Sequence, residues 1–166
     1  MKTWFAETWY LVKTLFSKMS KDNEHLEVVQ MKYYPWQGYG AMSWAGKLIT
    51  RKNPEDISIW TKKHEEIHLQ QAQMMGKTWF PFYLRYLGEY LLNLFFTWTG
   101  FSGSYYLISV EKQAYGNQGN LEYRATKENL KKYRTPLFLR HEEWKKNKNN
   151  WRAHCESIEN DTTKII

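Results

Sequence analysis

The stretch EDISIWTKKHEEIHLQQAQMM, residues 55–75, contains the pattern His-Glu-x-x-His and is the part of the chain from which the fold can be predicted. The segment 53–56 (NPED) is typical of a helix start, because proline suits the first turn and acidic side chains favour the positive end of the helix dipole. No residue interrupts the helical pattern until Gly76. The sequence therefore predicts a long helix over residues 55–75.

The spacing of the two histidines in this helix indicates a metal site. Four residues correspond to about 400° of helix turn, so His64 and His68 lie one above the other and can offer two imidazole nitrogens to one metal ion. Zn²⁺ is the natural ion, since it accepts nitrogen and oxygen ligands. Glu65 lies beside this face, where it can take a proton from metal-bound water. The alternative is a pair of surface histidines on a solvated helix.

Two histidines and a water leave tetrahedral zinc one ligand short. Glu111 and Glu89 are the candidates for the third ligand. Glu89 has a salt-bridge partner in Arg85, four residues earlier on the same predicted helix. Glu111 lies in the first turn of a later predicted helix, and the small Ala114 one turn on permits close approach of another helix. We therefore favour Glu111, with Glu89 as the alternative.

Three segments carry a resemblance to known proteins: HEEIHLQQ (64–71), FYLRYLGEYLLNL (82–94) and ISVEKQAYGNQ (108–118). They resemble the gluzincin group of zinc metallopeptidases. More narrowly, they resemble a family of small bacterial metallopeptidase-like proteins whose pattern runs HExIHxxQ, then FYxxYxxEY, then SFExEAYxNE. The resemblance covers residues 41–133 and implies His64, His68 and Glu111 as zinc ligands and Glu65 as the catalytic base.

This sequence departs from the family pattern at three positions. Val110 replaces an aromatic residue, and Gln113 and Gln118 replace two acidic residues. The positions of the implied ligands are unchanged.

Around the motif, hydrophobic periodicity predicts an α+β, mainly α fold: a small N-terminal sheet, then a zincin-like active-site helix and a helical bundle. The predicted elements are an amphipathic helix over 3–19, strands over 26–34 and 41–51, and further helices over 79–98, 109–117 and 121–133. We predict one domain over residues 1–140, followed by a basic, Asn-rich and solvated C-terminal tail over 141–166. A substrate peptide is expected to lie along the strand at 41–50 by strand addition.

The predicted helix over 79–98 is long enough to cross a membrane. Arg85 and Glu89 in its middle argue against that, as does the mean hydropathy of −0.73 for the chain. The alternative is a helix that is buried on nearly all sides by its neighbours.

Composition limits the other functions. The lone Cys155 excludes an internal disulfide, and the net charge of +7 is concentrated in residues 131–152, with eight Lys or Arg against two Glu. The first residues contain no apolar run of signal-peptide length, so a cytoplasmic location is expected. No nucleic-acid-binding motif is present, and no specific nucleic-acid partner is expected. Peripheral contact with the inner face of the membrane is an alternative, supported by this basic segment and by the Trp-rich residues 3–19.

The function predicted is a zinc-dependent metallopeptidase that acts on a peptide or protein substrate. The alternatives are a non-catalytic metal-binding protein and a membrane-surface-associated protein. The sequence does not indicate the oligomeric state. For stabilising the reaction intermediate, Tyr115, Tyr105 and Arg134 are equal candidates. Two other groups are assigned weaker roles: residues 141–144 (HEEW) as a charged helix face, and His154 with Cys155 as a weak metal pair.

Overall fold

The computed structural model describes residues 3–19 and 26–160. The chain divides into two compact units, Met1–Phe82 and Tyr83–Ile166. The described residues form an α+β, mainly α structure, in which a three-stranded sheet near the N-terminus is followed by helices, as the sequence predicts. The division into a domain and a tail at residue 140 stays a prediction.

The first unit contains two helices and the sheet. Its elements are α1 (Trp4–Leu15), β1 (Glu27–Gln30), β2 (Ala41–Trp44), β3 (Lys47–Thr50), a short 3-10 turn (Pro54–Asp56) and α2 (Ile59–Met75). Helix α3 (Phe80–Phe96) begins in this unit and continues into the second.

The strands lie in the order β1-β3-β2, with β1 parallel and β2 antiparallel to β3. The single strand predicted over 41–51 is instead a hairpin. Ala45 (φ 48°) and Gly46 (φ 79°) both adopt left-handed conformations, which is the geometry of a tight type I′ turn. Since β3 is paired on both sides, β2 is an edge strand of the described sheet.

Helix α1 packs on the sheet through Leu11, which is buried with Ile49 and neighbouring side chains. Glu7 is also buried, and its two carboxylate oxygens accept hydrogen bonds from the backbone N–H groups of Lys32 and Tyr33, each at 3.0 Å. These bonds satisfy the charge and fix the helix against the segment that follows β1.

Helix α2 begins four residues later than predicted, because Pro54–Asp56 form the separate 3-10 turn. The hydroxyl of Ser58 caps α2 by accepting a hydrogen bond from the N–H of Thr61 at 3.1 Å. The helix ends at Gly76, as predicted.

The second unit is helical. Its elements are the rest of α3, then α4 (Gly100–Tyr106), α5 (Ser109–Asn117), α6 (Lys127–Lys132), α7 (Arg140–Asn147) and α8 (Trp151–Asn160). Helix α5 has the bounds predicted for it, α6 is shorter than predicted, and α4 was not predicted. Residues 140–160, predicted as solvated, contain two helices, and Trp151, Cys155 and Ile158 are buried.

Helix α3 is not buried on nearly all sides, and that expectation is wrong. Its polar stripe faces the interior of the second unit: Asn93 is fully buried and donates a hydrogen bond to the carbonyl of Ser104 at 2.9 Å. Leu84, Leu87 and Phe95 are exposed. The polar residues are inside because they satisfy backbone groups at the ends of neighbouring helices. Within the described residues, no helix has the length and apolar character that crossing a bilayer requires.

Candidate metal centre

The two histidines of the motif lie one turn apart on α2, and both are buried. Their Nε2 atoms are 3.2 Å apart, and the ring planes are nearly perpendicular. The phenyl ring of Phe82 lies 6.0 Å from the ring of His68, centroid to centroid, and forms an apolar wall beside it. The pair is thus held in a dry, fixed geometry within the first unit.

The tautomer of His68 follows from its contact with Gln71. The Nδ1 atom of His68 lies 2.8 Å from the side-chain oxygen Oε1 of Gln71, and an amide oxygen only accepts. In the neutral ring Nδ1 therefore carries the proton, and the lone pair of Nε2 points towards His64. This arrangement, with the outer nitrogen hydrogen-bonded and the inner nitrogen presented, is typical of metal-ligating histidines.

The separation of the two nitrogens fits zinc. With Zn–N bonds of about 2.0–2.1 Å and tetrahedral angles, two ligand nitrogens lie about 3.4 Å apart. The 3.2 Å observed between the Nε2 atoms of His64 and His68 is close to this value. The donor pair is therefore suited to a small divalent cation without rearrangement of α2.

Glu65, between the two histidines in the motif, is held at the sheet. It is buried, and its Oε2 accepts a hydrogen bond from the backbone N–H of Ser43, in β2, at 2.7 Å. The neighbouring Glu66 is directed elsewhere, with its carboxylate 3.9 Å from Nζ of Lys63. Of the two acidic residues in the motif, Glu65 is thus the one held at the edge strand.

Glu111 belongs to the second unit, in the first turn of α5. Its side chain is 2 % exposed, and its Oε1 accepts a hydrogen bond from the hydroxyl of Tyr86, on α3, at 2.7 Å. The hydrogen bond from the hydroxyl of Tyr86 fixes the orientation of the Glu111 carboxylate. Carboxylates that bind metal ions are held by hydrogen bonds in the same way.

Glu89 forms an ion pair and hydrogen bonds within the second unit. Its Oε1 accepts hydrogen bonds from Nε of Arg85 at 2.9 Å and from the hydroxyl of Ser109 at 2.8 Å, and its Oε2 accepts from the backbone N–H of Ser109 at 2.7 Å. Burial acts to raise the pKa of Glu89, but the hydrogen bonds from Ser109 and the charge of Arg85 outweigh it and lower the pKa. Glu89 therefore closes the N-terminus of α5, and its ion pair with Arg85 is the one that the sequence predicts.

The segment 141–144 is a charged face only in part: His141 and Glu142 are exposed, but Glu143 belongs to a buried network. Glu143 is nearly buried and accepts hydrogen bonds from Nζ of Lys112 at 2.8 and 3.1 Å and from Nε2 of His154 at 2.9 Å. His141 contacts the carbonyl of Thr97 through Nδ1 at 2.7 Å. Sequence reasoning missed this network because its members lie 31 and 11 residues apart along the chain.

The weak metal pair of His154 and Cys155 gains no support. His154 contacts Glu143, and Cys155 is fully buried against α5, where burial raises the pKa of its thiol to about 12. Burial, reinforced by the negative charge of Glu111, raises the pKa of Tyr115, one of the three candidates for stabilising the reaction intermediate. A phenol in that state is a permanent hydrogen-bond donor at neutral pH.

The chain matches no family model, no curated protein and no solved structure. The resemblance to the gluzincin group therefore stays a prediction that rests on the motifs in this sequence.

Proposed function

We propose that this protein is a zinc-dependent hydrolase of peptide bonds. The observation that carries the proposal is the pair of Nε2 atoms on α2, 3.2 Å apart, with the outer nitrogen of His68 held by Gln71. His64 and His68 supply two ligands, and we assign Glu111 as the third, because it is buried and oriented by Tyr86 while Glu89 is engaged by Arg85 and Ser109.

Nitrogen and carboxylate donors together favour zinc over Mg²⁺ or Ca²⁺, which prefer oxygen ligands alone. A zinc ion bound there would polarise the scissile carbonyl and lower the pKa of a bound water towards neutrality. The protein's own task is to receive the proton of that water. We assign this role to Glu65, because it follows His64 directly in the sequence and its carboxylate is not one of the assigned metal ligands.

The edge strand β2 supplies the substrate site in this proposal. The N–H of Ser43 donates to Glu65 and therefore points away from β3. An extended peptide that adds to this edge of β2 by backbone hydrogen bonds takes the N–H of Ser43 in place of Glu65, which leaves the carboxylate of Glu65 beside the substrate. The sequence-based expectation included residues 47–50, but these form β3, which is already paired on both sides.

The test combines metal content with turnover. We expect one zinc per wild-type chain after zinc loading and dialysis, measured by plasma mass spectrometry, and loss of zinc in His64→Ala and His68→Ala, since two ligands are too few to hold it. Glu65→Gln keeps the size and hydrogen bonding of the side chain but removes its basicity. It should remain zinc-loaded and folded and lose about 10²- to 10⁴-fold in the rate of cleavage of a broad peptide library.

Each outcome has a clear consequence. Less than about a tenth of an equivalent of zinc in the wild type would refute the metal site. Equal turnover by the wild type and Glu65→Gln at equal zinc content would remove Glu65 from the mechanism. Zinc binding without turnover in either protein would assign the chain to the non-catalytic metal-binding proteins.

A further inference from the structure

Helix α1 is apolar on both of its sides. One side, with Leu11, packs on the sheet, and the opposite side exposes a stripe of large apolar residues at helical spacing. We call this stripe the aromatic face of α1; its members are Phe5, Trp9, Val12 and Phe16. The stripe extends to Phe80, whose ring stacks on that of Phe16 with centroids 5.9 Å apart and planes at 21°.

The aromatic side chains of this face are each more than half exposed to solvent. Phe5 is 71 % exposed, Phe16 is 66 % exposed and Trp9 is 55 % exposed. Contiguous apolar patches of this kind on a folded protein mark an interaction surface.

The charges around the aromatic face are positive. Nζ of Lys13 lies 5.9 Å from the centre of the Trp9 ring, and the exposed Lys18 follows two residues after Phe16. Between residues 3 and 19, all of which the structure describes, Glu7 is the one acidic residue; it is buried, and its carboxylate is bonded to the backbone. The face therefore presents tryptophan, phenylalanine and lysine, and no negative charge.

We propose that the aromatic face of α1 docks on an anionic lipid bilayer, with the helix lying in the plane of the interface. Tryptophan side chains favour the headgroup region, where the ring is apolar and the indole N–H is hydrated. Lysine stems extend along apolar surface while the ammonium group reaches the lipid phosphates. The 12-residue helix is about 18 Å long, too short to cross a bilayer but long enough to insert several rings side by side.

An anionic bilayer fits better than a protein partner on two grounds. The lysines beside the face, in a segment 3–19 that exposes no acidic residue, are complementary to anionic headgroups. Lys13 also lies one turn beyond Trp9 at the margin of the aromatic face, where its ammonium group can reach the headgroups while the rings insert. Docking needs no metal ion, so it stands or falls independently of the hydrolase proposal.

The experiment measures partitioning of the full chain onto vesicles by co-sedimentation and tryptophan fluorescence. The vesicles are either equimolar phosphatidylglycerol and phosphatidylcholine, or phosphatidylcholine alone. Phe5→Ser/Trp9→Ser should reduce partitioning onto the anionic vesicles by about tenfold or more, since it removes two exposed rings from the face. Lys13→Gln/Lys18→Gln should reduce it by about thirtyfold on the anionic vesicles alone.

The matched control is Trp36→Ser, which removes a tryptophan that is 67 % exposed, more than Trp9, from the same unit but outside α1. It should change partitioning by less than about twofold. All variants alter exposed side chains, and circular dichroism with urea unfolding confirms that each is folded. A wild type that does not bind the anionic vesicles, or equal binding by wild type and Phe5→Ser/Trp9→Ser, would overturn the proposal. A wild-type dimer that this double variant converts to a monomer would assign the face to a second copy of the chain instead.

Discussion

A single side-chain amide determines what His68 can present to a metal. With Oε1 of Gln71 on Nδ1, the neutral ring must carry its proton on that nitrogen, and the lone pair of Nε2 is directed towards His64. The residue three positions beyond the motif is therefore part of the site. Its role follows from helix geometry, since side chains three residues apart are neighbours on one face of α2.

The choice between the two candidate carboxylates can be tested by neutralising each. Glu111→Gln should weaken zinc binding at least about a hundredfold, because an amide is a poor zinc ligand. Glu89→Gln should leave zinc affinity within about tenfold. It should instead lower the free energy of unfolding by about 1–3 kcal/mol, since the carboxylate bonded to Arg85 and Ser109 is lost.

Zinc affinity by competition with a chelator, and urea unfolding of the metal-free proteins, separate the two effects. A strong loss of affinity in Glu89→Gln with none in Glu111→Gln would reverse the assignment of the third ligand.

At the scale of the elements, two glycines in helices have opposite roles. A Cβ atom at Gly116, in α5, would lie 2.6 Å from the backbone oxygen of Cys155, in α8, so these helices can approach only because the residue is glycine. A Cβ atom at Gly88, in α3, would meet nothing within 4 Å. Packing therefore requires glycine at position 116, whereas position 88 has room for a larger side chain.

Gly116→Ala should therefore lower the free energy of unfolding by more than about 2 kcal/mol, because the clash is with backbone and forces α8 to move. Gly88→Ala, the matched control, should be neutral or stabilising by up to about 1 kcal/mol through helix propensity. Urea unfolding measures both. Equal stability of the two variants would mean that α5 and α8 are packed more loosely than described.

Elements with local signals were predictable from the sequence. The end of α2 at Gly76 and both bounds of α5 agree with the predictions, since caps and apolar periodicity lie within the segments themselves. Helix α4 was missed because Gly100 and Gly103 suggested a break. Gly103 is present for packing: a Cβ atom there would lie 2.9 Å from the Trp144 ring.

In the candidate site too, contacts within one segment could be predicted and contacts between distant segments could not. The histidine pair was predictable, because one helix turn places both rings on one face. The contact of Glu65 with the N–H of Ser43 was not, since it joins residues 22 apart and depends on how α2 packs on β2. The hairpin in residues 41–51 was also missed, because Ala45-Gly46 is not among the usual turn dipeptides.

At the scale of the whole molecule, Glu143 makes the free energy of unfolding depend on pH. Burial acts to raise its pKa, but the hydrogen bond from His154 and the charge of Lys112 outweigh this and lower the pKa to about 2, from 4.5. A carboxyl group with a lowered pKa in the folded state stabilises the fold fully above its unfolded pKa. That stabilisation, about 3 kcal/mol, should be lost as the pH falls from about 4.5 towards 2.

Urea unfolding from about pH 6 to pH 3 measures this loss. Glu143→Gln should flatten the pH dependence. Glu156→Gln, which removes one partner of the exposed pair with Arg152, should leave it unchanged. A wild type whose stability is constant over this range would show that Glu143 is not held as described.

The contact between Glu65 and Ser43 also bears on how the protein behaves when it is concentrated. An edge strand with open backbone groups invites the strand of another copy, and such pairing leads to aggregates. In β2 one of these groups, the N–H of Ser43, is covered by a carboxylate that a neighbouring strand would have to displace. The side chain that we propose as the catalytic base thus also covers the edge, so the proposal assigns one residue both to catalysis and to the solubility of the protein.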